Sequence, residues 1–266
     1  MNRIYALGKF EEGPCEPSKF LEIVRSSREC VESLRDYPLD RILGILDQTG
    51  KRWREREYPP RRKIAEFLGQ EGMSGPSVQR CLDVVPQILD MHSLRKRIEM
   101  SLPFPVATMD GPLRVASFPG RIRALSRGVV VHVCAGNVFL GALDSLIMGM
   151  VTKNVNILKA SSQDPLSLLH FMESLKEEDR DGILSSSISV LQWSRDDKDM
   201  EEVALNHADV IMVWGGEGAI DQYRKNAAPS VSVIGYGPKI SFGVITRNGF
   251  NERYFGEIAR KCAHDI

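Results

Sequence analysis

"GVVVHVCAGNVFLGALDSLIMGMVTKNVNILKASS", Gly128 to Ser162, decides between a membrane span and a buried strand and helix. From Gly128 to Val151 there are 24 residues without a Lys, Arg or Glu, long enough to cross a bilayer. The pattern inside does not belong to one helix. Val129, Val130, Val131 and Val133 form a β-branched run, "CAGN" interrupts it, and helical spacing begins only afterwards. Such a break within hydrocarbon leaves backbone amides unsatisfied. The stretch therefore reads as a buried strand, a turn, a covering helix and a second strand, "VNILK", with His132, Asn137, Asp144 and Lys159 as its polar exceptions.

Outward from it the same alternation continues. Strands are expected near 129–134, 155–159, 187–192, 209–213, 231–234 and 240–246, and helices near 138–150, 165–177, 199–206, 217–226 and 251–264. Short β-branched runs alternating with helices of this length predict an α/β, Rossmann-like, mostly parallel sheet covered by helices on both faces. Residues 106–266 are assigned to this cofactor-binding domain. Residues 1–105 read as a mostly helical N-terminal region, through "PSKFLEIVRSSRECVESLRDY", "PLDRILGILDQTGKRW", "PRRKIAEFLGQEG" and "GPSVQRCLDVVPQILDMHSLRKRIEM". Pro86 predicts a kink or break in the last of these.

Composition narrows the function. Lys and Arg total 35 and so do Asp and Glu, so no net field attracts nucleic acid or an anionic membrane. The five cysteines, Cys15, Cys30, Cys81, Cys134 and Cys262, form no CxxC pair and suggest neither a disulfide framework nor a metal site. The first twenty residues mix both charges and build no apolar secretory core, which predicts a reducing cytoplasm. "KRWREREYPPRRK", Lys51 to Lys63, is basic and aromatic, but in a chain of zero net charge it reads as a solvated helix end and a Pro-Pro turn. "GILDQTGKR" fails as a phosphate loop, with five residues between its glycines and Arg52 where Ser or Thr is needed.

Two strand-to-helix junctions remain as candidates. Asn137 follows "VVVHV" at the start of a helix, where it serves either as a cap or as a ligand group at the carboxyl edge of the sheet. Gly215 and Gly216 in "GGEG" follow "ADVIMVW", and their bare backbone before a helix suits a phosphate. Lys159 and Ser161 end the strand between them. The lysine either snorkels to solvent or holds an anionic or hydroxyl group.

Taken together, "RGVVVHVCAGNVFLGALDSLIMGMVTKNVNILKASSQDPL", "ADVIMVWGGEGAI" and "YGPKISFGVI" resemble the LuxC-type fatty acyl-CoA reductase family of the aldehyde dehydrogenase superfamily. The likeness is strongest over 127–266 and looser before it. It implies an incomplete aldehyde dehydrogenase-like fold binding NADP, with NAD possible. It further implies that Asn137 donates its amide to an oxyanion, a role worth about 3 kcal/mol in such reactions. Lys159 and Ser161 would meet the adenosine ribose or its phosphate, Gly215, Gly216 and Glu217 the pyrophosphate turn, and Cys134 and Ala135 the pocket wall. The implied reaction is reduction of a fatty acyl-CoA or other acyl thioester to an aldehyde through a cysteine acyl-enzyme.

The family's nucleophile is expected beyond a helix resembling "GEIARKCAHDI", outside the 266 residues, and Cys262 within that helix reads as a packing residue. No general base is assigned. The resemblance thus predicts a cofactor-binding portion inactive alone, completed by a catalytic domain or a homo-oligomer, with an exposed apolar face. The alternative is a non-catalytic nucleotide-binding or assembly module acting through a partner.

Overall fold

The chain opens with strands rather than helix. In the computed structural model, which describes residues 3–134, 139–194, 196–240, 242–244, 246 and 254–265, β1 (Arg3–Ala6) and β2 (Lys9–Glu12) form an antiparallel hairpin. Its two turn residues, Leu7 at φ 46° and Gly8 at φ 88°, are both left-handed, the geometry that matches strand twist in a two-residue turn. Leu at such a position is rare, so the sequence carries no ordinary turn signal here.

Helices α1 (Pro17–Arg35), α2 (Leu39–Arg52), α3 (Pro59–Gln70), α4 (Gly75–Ile88) and α5 (Met91–Ser101) follow. The break expected at Pro86 falls later: α4 runs through that proline, and the chain reorients at Leu89 and Asp90. There the Asp90 carboxylate accepts from the Ser93 amide at 2.8 Å and caps α5. The basic "KRWREREYPPRRK" segment is not wholly solvated either. Pro59 and Pro60 open α3 rather than making a turn, Trp53 is buried, and the buried Arg61 guanidinium donates to the Trp53 carbonyl and to Asp83 at 2.6 Å.

A two-stranded ribbon, β3 (Leu113–Arg114) and β4 (Arg121–Ile122), leads into the alternating half. Here β5 (Val129–Val133), α6 (Phe139–Val151), β6 (Val155–Lys159), α7 (Ser167–Glu178), α8 (Ile183–Ser186), β7 (Ile188–Leu191), α9 (Lys198–His207), β8 (Val210–Trp214), α10 (Glu217–Asn226), β9 (Ser232–Tyr236) and α11 (Phe255–Asp265) succeed one another. The sheet order is β2-β1-β7-β6-β5-β8-β9, with β7 to β9 parallel and β1 antiparallel to β7 at Tyr5 and Val190. The expected Rossmann-like, mostly parallel sheet is present. The described residues of 240–246 carry no strand.

Charge-free sequence in β5, β6 and α6 reflects burial on both sides. Val129, Val131, Ile157, Leu143, Leu146, Ile147, Met150 and Val151 are fully enclosed, each side chain contributing about 1.5–3 kcal/mol by leaving water. Polar side chains described on and after α6 have partners. Asp144 on α6 takes a bidentate pair from Arg97 on α5, at 2.7 and 3.0 Å. Lys153, in the turn after α6, donates to Asp110 at 2.7 Å and to the Met109 carbonyl at 3.0 Å. Among the described residues no helix is long and apolar enough to cross a membrane.

Candidate functional site

The chain runs from β5 outward through β6 to β7, then returns to the other side of β5 for β8 and β9. At that reversal the loops leaving adjacent strands diverge, which opens a crevice at their carboxyl ends. A cleft of about 800 Å³ lies there. Val133 and Cys134 border it from β5, Lys159 to Gln163 from β6, Gln192 to Ser194 from β7, and Val213 to Gly216 from β8.

Five of the sequence-predicted residues therefore meet in one cleft: Cys134, Lys159, Ser161, Gly215 and Gly216. Glu217 is the exposed first residue of α10, next to the cleft wall but not part of it. Asn137 and Ala135 lie outside the described residues. Cys262 is exposed on α11, and among the described residues no group of His, Cys, Asp and Glu is arranged to hold a metal.

The glycine junction suits a phosphate-bearing ligand. Gly216 starts α10 without a side-chain cap, so the first-turn amides are not covered by a polar side chain. A Cβ at Gly216 would meet nothing within 4 Å, and one at Gly215 only Ala219, at 3.7 Å. Gly216 itself lines the cleft. An anion approaching there faces bare backbone and the positive end of a helix dipole.

Lys159 is not simply snorkelling. Its ammonium is ion-paired to Glu201 of α9 and lies 4.8 Å from the centre of the Trp193 ring. The Glu201 carboxylate also accepts from Trp193 Nε1 at 3.0 Å and from the Tyr223 hydroxyl at 2.5 Å. Sequence reasoning missed Trp193, Glu201 and Tyr223. The one available signal is Glu201 itself, a carboxylate on the helix face that also buries Met200 and Ala204.

A second polar chain fixes the cleft wall from beneath. Trp214 stacks on Tyr236, centroids 4.3 Å apart, and its Nε1 donates to Ser145 Oγ at 3.1 Å. Ser145 Oγ is 2.8 Å from His132 Nδ1, and His132 Nε2 is 3.0 Å from Asn156 Oδ1. The amide oxygen can only accept, so Nε2 carries the imidazole proton and Nδ1 accepts from the serine. Burial pushes the His132 pKa down to about 4 and keeps the ring neutral. Burial also pushes the Cys134 thiol up to about 12.

A family model, Acyl-CoA reductase (LuxC), matches residues 34–266. The chain belongs to this family. It is 30% identical to the long-chain acyl-protein thioester reductase of Vibrio harveyi over 97% of its own length and 53% of that protein. With the Photobacterium phosphoreum protein of the same name the identity is 34%, over 78% of this chain and 42% of that one. The LuxC-family chain thus spans about half the length of the relatives it matches.

Solved aldehyde dehydrogenases share its fold. A 3,6-anhydro-L-galactose dehydrogenase superposes with a TM-score of 0.69 at 12% identity, covering 89% of this chain and 52% of that one. Glyceraldehyde-3-phosphate dehydrogenase of Methanocaldococcus jannaschii, complexed with NADP, gives 0.65 at 13% identity, over 86% and 48%. Betaine aldehyde dehydrogenase of Staphylococcus aureus, in complex with NAD+, gives 0.65 at 15%, over 89% and 46%. The LuxC-family sheet is therefore the aldehyde dehydrogenase-like sheet, matched to about half of those chains.

Proposed function

We propose that the chain is the dinucleotide-binding portion of a reductase that converts acyl thioesters, fatty acyl-CoA or acyl-protein, to aldehydes. NADP(H) is the cofactor and NAD(H) an admissible second. The observation that carries this reading is the convergence of Lys159, Ser161, Gly215 and Gly216 on one cleft at the reversal of the sheet. The relatives' name, long-chain acyl-protein thioester reductase, supports the substrate class. The solved neighbours with NADP and NAD+ support the cofactor class.

When bound, the dinucleotide supplies a hydride. The chain's own residues bind and orient it: Lys159 and Ser161 take the adenosine ribose and its 2′-phosphate, Gly215 and Gly216 receive the pyrophosphate, and Glu217 flanks that turn. Cys134 borders the cleft, and the family resemblance assigns Ala135 to the same pocket and the Asn137 amide to the reacting carbonyl. Cys134 itself is not the attacking group, because a thiol raised that far is protonated at neutral pH. Burial likewise raises the thiols of Cys15, Cys30 and Cys81. The exposed apolar side chains Ile234, Tyr236, Ile240, Phe242 and Val244 offer a surface for a complementing catalytic part or a second copy.

Calorimetric titration of NADPH and NADH into the purified chain and into Lys159→Ala tests this. Saturable binding weakened about tenfold by the substitution, as expected for a lost charge-assisted contact, supports it. No binding of either cofactor, or a substitution without effect, overturns it. An acyl-CoA reduction assay on the same protein adds a check. Cys262 is exposed, so the expectation of a packing residue does not hold, and turnover abolished in Cys262→Ala would overturn the remaining reading that it is not the nucleophile.

A further inference from the structure

Lys159 and Glu201 form a fixed ion pair in the floor of the cleft. The carboxylate is 9% exposed as a residue and is held from three directions: by Lys159 at the end of β6, by Trp193 after β7 at 3.0 Å, and by Tyr223 of α10 at 2.5 Å. Donors on three separate elements hold it beside the lysine. Among the described residues the other cation bordering the cleft, Arg3, is likewise matched, by Glu173 at 3.1 Å. The lysine side presents an ammonium whose charge is already answered.

We propose that Glu201 is a specificity-determining residue that sets the gap between NADP(H) and NAD(H), an inference that rests on the cleft being the dinucleotide site. A ribose diol is neutral and needs only hydrogen bonds, which Lys159 and Ser161 can provide. A 2′-phosphate carries close to two negative charges. It gains from Lys159 and is repelled by Glu201 a few ångströms behind it, so the two effects largely offset. The pair thus keeps both cofactors admissible where a lone lysine would select strongly for the phosphorylated one.

Glu201→Gln removes the charge and keeps an oxygen to accept from Trp193, while its amide N–H can donate to the Tyr223 hydroxyl oxygen in place of the second carboxylate oxygen that the hydroxyl now donates to. By fluorescence or calorimetric titration at low ionic strength, NADPH affinity is expected to rise about tenfold and NADH affinity to change less than about twofold. The NADPH gain should shrink in about 0.5 M salt. Equal changes for both cofactors, or an unaltered ratio, overturn the proposal while leaving the cleft assignment standing. Failure of both cofactors to bind the unmodified chain overturns the cleft assignment and the proposal with it. Should Glu201→Gln not fold, the unmodified chain decides through adenosine 2′,5′-bisphosphate and adenosine 5′-monophosphate. A preference below about tenfold supports the proposal, and one near a hundredfold, as an unanswered lysine would give, overturns it.

Discussion

A Cβ on Gly149 would lie 1.8 Å from Oδ1 of Asn156, so any larger residue on helix α6 at this point must displace the Asn156 side chain. The same amide oxygen accepts from His132 Nε2, so the close approach and the buried polar chain depend on each other.

Gly149→Ala is accordingly expected to destabilise, although alanine is worth up to about 1 kcal/mol in a helix interior. Displacing Asn156 leaves the buried imidazole N–H unmatched, at about 1–3 kcal/mol, besides the steric cost. A net loss of about 2 kcal/mol should appear in urea unfolding. Gly44→Ala, in α2 with nothing within 4 Å, is the control and should be neutral or stabilising.

His132 gives stability a pH dependence with a fixed sign. Its folded pKa of about 4 lies below the ordinary 6.5, so between those values the unfolded chain binds the proton and the folded chain does not. Stability therefore falls as pH drops from 6.5 toward 4, by about 2 kcal/mol between pH 7 and pH 5 and about 3 in all. Unfolding curves at pH 7, 6 and 5 check this. A flat profile over that range would contradict a neutral buried imidazole.

The thiols differ in the same physical way. Burial raises Cys134 to about 12 and Cys15 to about 11, and raises Cys30 and Cys81, while Cys262 is exposed on α11. A thiol-disulfide reagent at pH 8 should label Cys262 rapidly in the native protein and the others only on unfolding. Rapid native labelling that persists in Cys262→Ser would contradict it.

How much of this was legible depended on whether the signal was local. The β5-α6-β6 unit could be read because burial on both faces writes continuous apolar runs into the sequence, and the β8-α10 junction because two glycines separate an apolar strand run from a helical pattern. The β1-β2 hairpin could not, since its turn puts Leu7 where a turn usually has Gly or Asn. Pro86 marked the split of its segment but not its place: α4 runs two residues past it, and the Asp90 cap fixes where α5 begins. The Lys159 partnership was invisible for a different reason. Glu201, Trp193 and Tyr223 come from three elements that only the folded sheet assembles.

The central claim, that the cleft beside β8 receives a dinucleotide, is tested most directly by Gly216→Val. At φ −67° with no atom within 4 Å, valine there fits the backbone and adds bulk to a residue that lines the cleft, at the cost of a poorer N-cap. Trp193 and Trp214 border the cleft, so their emission reports binding as NADPH is titrated. The account predicts saturable quenching in the unmodified chain and its loss, about tenfold or more in affinity, in a Gly216→Val protein that still unfolds cooperatively above the assay temperature. Equal NADPH affinity in the two proteins would contradict it.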